Sequence, residues 1–179
     1  MRRRVVQSFL GCSLLVACAQ EHVAFDAAPS DSPSASSSLC ELDGEIRWCV
    51  GTSHTLCDDR SWPRTVLTFS YAWSPETGAL VDDFHAWNAE YYRLHEVRFA
   101  DILMQDASHA PPTQEACTAW WPVGHSYEEW YGPHALPAAY AGLDLPVVLL
   151  LDANANVLWQ ADGAGATSAA VRGAVDAHR

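Results

Sequence analysis

The run Val66-Leu67-Thr68-Phe69-Ser70-Tyr71 and the tripeptide Ser74-Pro75-Glu76 behind it constrain this chain most. The run is short, apolar and rich in β-formers, which predicts a buried strand. The tripeptide predicts a helix start. Serine caps, proline tolerates the first helical position, and an acid there complements the helix dipole. Leu80, Phe84, Trp87, Tyr91 and Leu94 then recur at spacings of four, three, four and three, a single stripe that carries the helix to about Glu96. Val97 to Met104 reads as a second strand. Two strands joined by one helix pair in parallel with a right-handed crossover, so the fold class is α/β.

The flanking segments add detail. Asp43-Gly44 predicts a hairpin that opens the domain. Residues 107–135 form an irregular helical insert. Pro111-Pro112-Thr113 begins a short helix carrying Cys117, Trp120 and Trp121, and a further short piece holds Tyr127, Trp130 and Tyr131. Ala135 to Ala141 reads as helical and stops at Gly142. Leu145-Pro146 leads into Val147-Val148-Leu149-Leu150-Leu151, the most apolar strand. A turn over Asp152 to Asn156 returns Val157 to Gln160 as an antiparallel partner, and a last helix runs from Thr167 to Ala177.

The first 38 residues give an address. Arg2, Arg3 and Arg4 precede an apolar stretch from Val5 to Ala17, the layout of a signal peptide over residues 1–17. Leu15-Val16-Ala17-Cys18 resembles the bacterial lipobox, which implies lipidation of Cys18 and a membrane partner through the lipid anchor. Ala19 after the cysteine, in place of aspartate, implies a bacterial cell envelope location at the outer membrane. Residues 18–38, rich in Ser, Pro and Ala, form the lipidated end and a disordered tether. The folded domain spans 39–179. All ten basic residues are Arg against twenty-two acids, a net charge of −12. That charge excludes nucleic acid as a partner, because phosphates need a basic face.

Four cysteines remain in the folded region: Cys40, Cys49, Cys57 and Cys117. An even number in an oxidising compartment predicts two structural disulfides with three connectivities. A hairpin at Asp43-Gly44 would place Cys40 and Cys49 on one face and leave Cys57 to pair with Cys117, and Cys49–Cys57 is the competing pair. No C-x-x-C occurs. His85, His95, His109, His125 and His134 show no H-x-x-x-H or H-E-x-x-H spacing, so no metal or other cofactor is expected.

The element order resembles that of the thioredoxin-fold redoxin family, which includes thiol-specific antioxidant and thioredoxin-like lipoproteins. Phe69-Ser70-Tyr71-Ala72-Trp73-Ser74-Pro75 sits where that family has a strand followed by W-C-P. Leu145-Pro146-Val147-Val148 matches its cis-proline strand. Leu151 to Val157 matches its I-D-x-x-G-x-V hairpin with Asn in place of Gly, and Leu39 to Ile46 its leading hairpin. The resemblance implies a central mixed sheet flanked by helices. It also exposes a departure, because the family's two active-site cysteines fall on Ser74 and Thr77. The vestigial site therefore comprises Trp73, Ser74, Pro75 and Thr77, with Pro146 at the cis-proline position.

A serine there would need a general base, and Glu76 adds negative charge where an anionic nucleophile should form. Two functions are expected. The first is a non-catalytic envelope module that binds a peptide or protein in the groove near Pro146, or serves a structural role. The second is a thiol-disulfide oxidoreductase or peroxidase-type redoxin working through non-standard cysteines among Cys49, Cys57 and Cys117.

Overall fold

The computed structural model describes residues 39–40, 46–50, 56–57, 61–91, 96–120, 128–132 and 135–179. All belong to one unit that spans Ser32–Arg179. The signal peptide, Cys18, the tether and the Asp43-Gly44 turn lie outside the described residues.

Six strands form a single sheet: β1 (Arg47–Trp48), β2 (Arg64–Tyr71), β3 (Arg98–Gln105), β4 (Glu128–Tyr131), β5 (Val147–Asp152) and β6 (Val157–Asp162). Their spatial order is β1-β4-β3-β2-β5-β6. The predicted crossover is present: β2 and β3 run parallel, Val66 opposite Phe99 and Phe69 opposite Ile102. β5 lies antiparallel on the other side of β2, with Phe69 opposite Val147, and β6 returns antiparallel to β5. Helix α1 (Pro75–Tyr91) joins β2 to β3, α2 (Gln114–Trp120) lies in the insert, and α3 (Ser168–Ala177) ends the chain.

Local chemistry starts each helix. The Ser74 hydroxyl accepts the Thr77 N–H at 3.3 Å. Thr113 Oγ1 accepts from Ala116 N at 3.1 Å, and Thr167 Oγ1 from Ala170 N at 3.2 Å. Each hydroxyl satisfies a helix-end donor that would otherwise lack an intrahelical partner.

Strand alternation divides the core into two layers. Val66, Phe99, Val148 and Leu150 face α1 and α3, where Leu80, Phe84, Tyr91, Val171 and Val175 cover them. Leu67, Phe69, Ile102, Met104, Trp130, Leu149 and Leu151 face the opposite way, onto Leu39, Ile46, Leu56 and Tyr140.

Four expectations need revision. The piece carrying Trp130 and Tyr131 is a strand, β4, parallel to β3 and antiparallel to β1. Leu39 and Cys40 are helical, and β1 pairs with β4 through Arg47–Tyr131 and Trp48–Trp130, not with a strand before Asp43-Gly44. Cys40 and Cys49 are consequently not cross-strand neighbours. The disulfides are Cys40–Cys57 and Cys49–Cys117, with Cα separations of 5.5 and 5.4 Å, inside the usual range. Finally, the hairpin position that takes glycine in the resembled family is held by Ala155 at φ +60, and Asn156 next to it bonds to Asp152.

Candidate functional site

The site forms where β2 ends and α1 begins. β2, a central strand, delivers Tyr71 to its C-terminal end, and the chain turns through Ala72 and Trp73 before the Ser74 cap. Ser74 N donates to Tyr71 O at 3.1 Å, and Ala72 N to Gln105 O at 3.0 Å, which tie the turn to both parallel strands. Trp73 Nε1 donates to Gln105 Oε1 at 3.0 Å. The indole stacks on Tyr71 at 4.9 Å between ring centroids and packs against His109 at 4.6 Å. Trp73 nevertheless stays 41% exposed, one of two large apolar side chains on the described surface.

The two hydroxyls at the helix start have different surroundings. Ser74 Oγ donates to Glu76 Oε2 at 2.9 Å while it accepts from Thr77 N. Its single proton points at a carboxylate and a lone pair is already used, so the oxygen is a cap. Glu76 is held below the usual carboxylate range by its own backbone N–H and by Ser74. Thr77 is fully buried, with no hydrogen-bond partner for its Oγ1 among the described residues. Pro75 is exposed and supplies no chemistry.

Opposite this start, the Leu145-Pro146 peptide bond is cis. Pro146 itself is buried, and the half-buried Leu145 lines the surface beside it. A groove of about 530 Å³ lies between Tyr71, Trp73, Ser74 and Glu76 on one side and Leu143, Asp144, Leu145 and Gly163 on the other. β2–β5 pairing ends at Phe69 and Val147, and neither the N–H nor the C=O of Leu145 enters a backbone hydrogen bond among the described residues. Asp144 O and Pro146 O, by contrast, both accept from Gly163 N, at 2.8 and 3.0 Å.

The cysteines sit apart from this groove. Cys49 and Cys117 are buried with Leu103 in a small cluster that also touches Ala72, Trp120 and Tyr131. Their disulfide lies behind the turn, with sulfurs shielded from solvent. Cys40 is exposed and bonds to Cys57.

One buried group was not singled out from the sequence. Asp101 is 1% exposed in mid-β3. Its Oδ2 accepts from Ser70 Oγ at 2.8 Å and from Trp120 Nε1 at 3.4 Å, while Oδ1 has no partner among the described residues. Burial raises its pKa from 3.8 to about 7, against the lowering effect of Ser70 and Trp120. An acid between Phe99 and Leu103, on the inward parity of an apolar strand, was the available signal.

No protein-family model matches the sequence, and no curated protein matches it. Solved structures do. The chain is similar to a thioredoxin-like protein from Aeropyrum pernix at a TM-score of 0.58 and 14% identity, over 74% of this chain and 88% of that one. The fold is thioredoxin-like. A thiol-disulfide oxidoreductase from Bacteroides fragilis matches at a TM-score of 0.58 and 18% identity, over 75% of this chain and 96% of that one. A secreted Mycobacterium tuberculosis disulfide oxidoreductase homologous to E. coli DsbE matches at 0.57 and 14%, over 74% and 94%. On this thioredoxin-like frame, Trp73 to Thr77 lie at the start of the helix after β2, across the groove from the cis-proline. Among the described residues no cluster of His, Cys, Asp or Glu could hold a metal.

Proposed function

We propose that this protein is a lipid-anchored envelope module with a thioredoxin-like domain that binds an extended polypeptide in the groove beside Pro146 and performs no thiol chemistry there. The committed Ser74 hydroxyl carries the reading: it is bonded to Glu76 and to Thr77 N and stands where a thiolate would have to form. The open backbone of Leu145 supports the binding half, because an unpaired N–H and C=O at a strand end accept a peptide as an added strand. Ala17-Cys18 supports the anchor, with residues 19–38 as its tether.

A second reading is thiol–disulfide exchange through Cys49–Cys117, favoured by the packing of that pair against Ala72. Burial of both residues, at 1% and 0% exposure, opposes it. An insulin-reduction assay and a peroxide-consumption assay on the full chain separate the two. Neither activity is expected. Turnover that disappears on Cys117→Ser would refute the first reading. Radiolabelled palmitate should enter the expressed full chain and be lost on Cys18→Ser. Equal labelling of the two would refute the anchor.

A further inference from the structure

The groove has one sign of charge. Its lining includes the carboxylates of Glu76 and Asp144 beside Tyr71, Trp73, Leu143 and Leu145, and no guanidinium or imidazole. Asp162 stands just behind, its Oδ2 accepting Asp144 N at 3.2 Å. Glu76 stays ionised across the neutral range, since its own N–H and Ser74 hold its pKa down.

The described arginines lie elsewhere. Arg64 and Arg98 begin β2 and β3, about 23 Å along the strand from Tyr71. Arg172 and Arg179 pair with Glu90 and Glu96 near the far end of α1, about 22 Å from Ser74. Arg47 is three strands across the sheet, about 14 Å away. No described arginine therefore balances the rim, and the nearest described imidazole, His109, lies against the Trp73 ring outside the lining. The Trp73 indole, 41% exposed with Tyr71 and His109 already against it, adds apolar surface along which the stem of a cationic side chain packs favourably.

We propose that the groove takes an extended polypeptide segment carrying an arginine or lysine, its cationic head between Glu76 and Asp144 and its stem against Trp73. The inference rests on the peptide-groove reading above and adds the sign of the ligand's charge. The complementarity is direct: two exposed carboxylates and an aromatic ring line a site on a chain of net charge −12.

The test uses three fluorescein-labelled, end-blocked nonapeptides with one apolar framework and a central Arg, Gln or Glu. Binding to the full chain, disulfides intact, is read by anisotropy at low and high salt. The Arg peptide should bind about tenfold tighter than the Gln peptide, the Glu peptide weakest, and the advantage should shrink in high salt. Glu76→Gln and Asp144→Asn should each weaken the Arg peptide about threefold and so narrow its advantage over the Gln peptide. Trp73→Ala should weaken all three.

Equal affinity for the three peptides would overturn the charge selection and leave the groove reading standing. Binding of none, or binding indifferent to Trp73→Ala, would overturn both.

Discussion

Asp101 makes the native state sensitive to proton concentration in a definite direction. Well below about pH 4 its carboxyl is protonated in the folded and the unfolded chain alike, and its ionisation makes no difference to stability. As pH rises toward 7, the unfolded chain loses this proton and the folded protein keeps it, because burial raises the folded pKa from 3.8 to about 7. The folded state then binds more protons, so stability falls with rising pH until both states are ionised, above about 7. At about 1.36 kcal/mol per pH unit, the full interval is worth about 4 kcal/mol, of which about 3 kcal/mol falls between pH 5 and 8. Asp101→Asn removes the titration and retains an acceptor for Ser70 and Trp120. Urea unfolding at pH 5 and pH 8 should show the native protein losing about 3 kcal/mol more than the variant across that range. Contributions common to the two proteins cancel in the comparison. An unfolding midpoint that shifts equally in the two would refute the assignment of Asp101 as a buried proton-binding group.

Further outcomes follow from the same geometry. Ser74→Ala should cost about 1 kcal/mol by urea unfolding, through loss of the cap to Thr77 N. In Ser74→Cys, alkylation rates against pH should report a thiol below the ordinary value of about 8.5, and added Glu76→Gln should lower it again by removing the adjacent charge. Ala155→Gly should raise stability by about 1 kcal/mol, because φ +60 suits a residue without a Cβ. Replacing Cys49 and Cys117 together by Ser should cost about 4 kcal/mol and replacing Cys40 and Cys57 about 3 kcal/mol. The larger loss belongs to the longer loop, 68 residues against 17.

The parts of the fold written in local chemistry were readable. β2, α1 and β3 announce themselves by an apolar run, a cap with its proline, and an apolar stripe, and Thr167 marks the start of α3. Pro146 before the Val147–Leu151 run marks β5. Pairing beyond the β2–β3 crossover and the β5–β6 turn was not readable. β4 is four residues, Glu128–Tyr131, whose strand character comes from hydrogen bonds to β3 on one side and β1 on the other. Cysteine pairing depends on the same contacts: once β1 joins β4, Cys49 lies within reach of Cys117 on α2. At the site, Trp73, Ser74 and Pro146 were visible because motif and position coincide. Glu76 and Asp144 meet across the groove from segments almost seventy residues apart, and no spacing rule encodes that. The β5–β6 turn shows the same limit: Ala155 adopts a conformation its side chain disfavours, held by the carboxylate of Asp152, which accepts from Asn154 N and Asn156 N.

The stretch before β2 bears on where the independent unit starts. Leu39, Ile46 and Leu56 roof one side of the sheet, the Cys40–Cys57 bridge lies wholly within this stretch, and the Cys49–Cys117 bridge has one sulfur in it. A fragment begun at Arg64, where the recognisable architecture sets in, would bare Phe69, Ile102, Met104 and Trp130 to water and strand Cys117 without its mate. Such a piece should precipitate, whereas one begun at Leu39 should behave as a self-sufficient body.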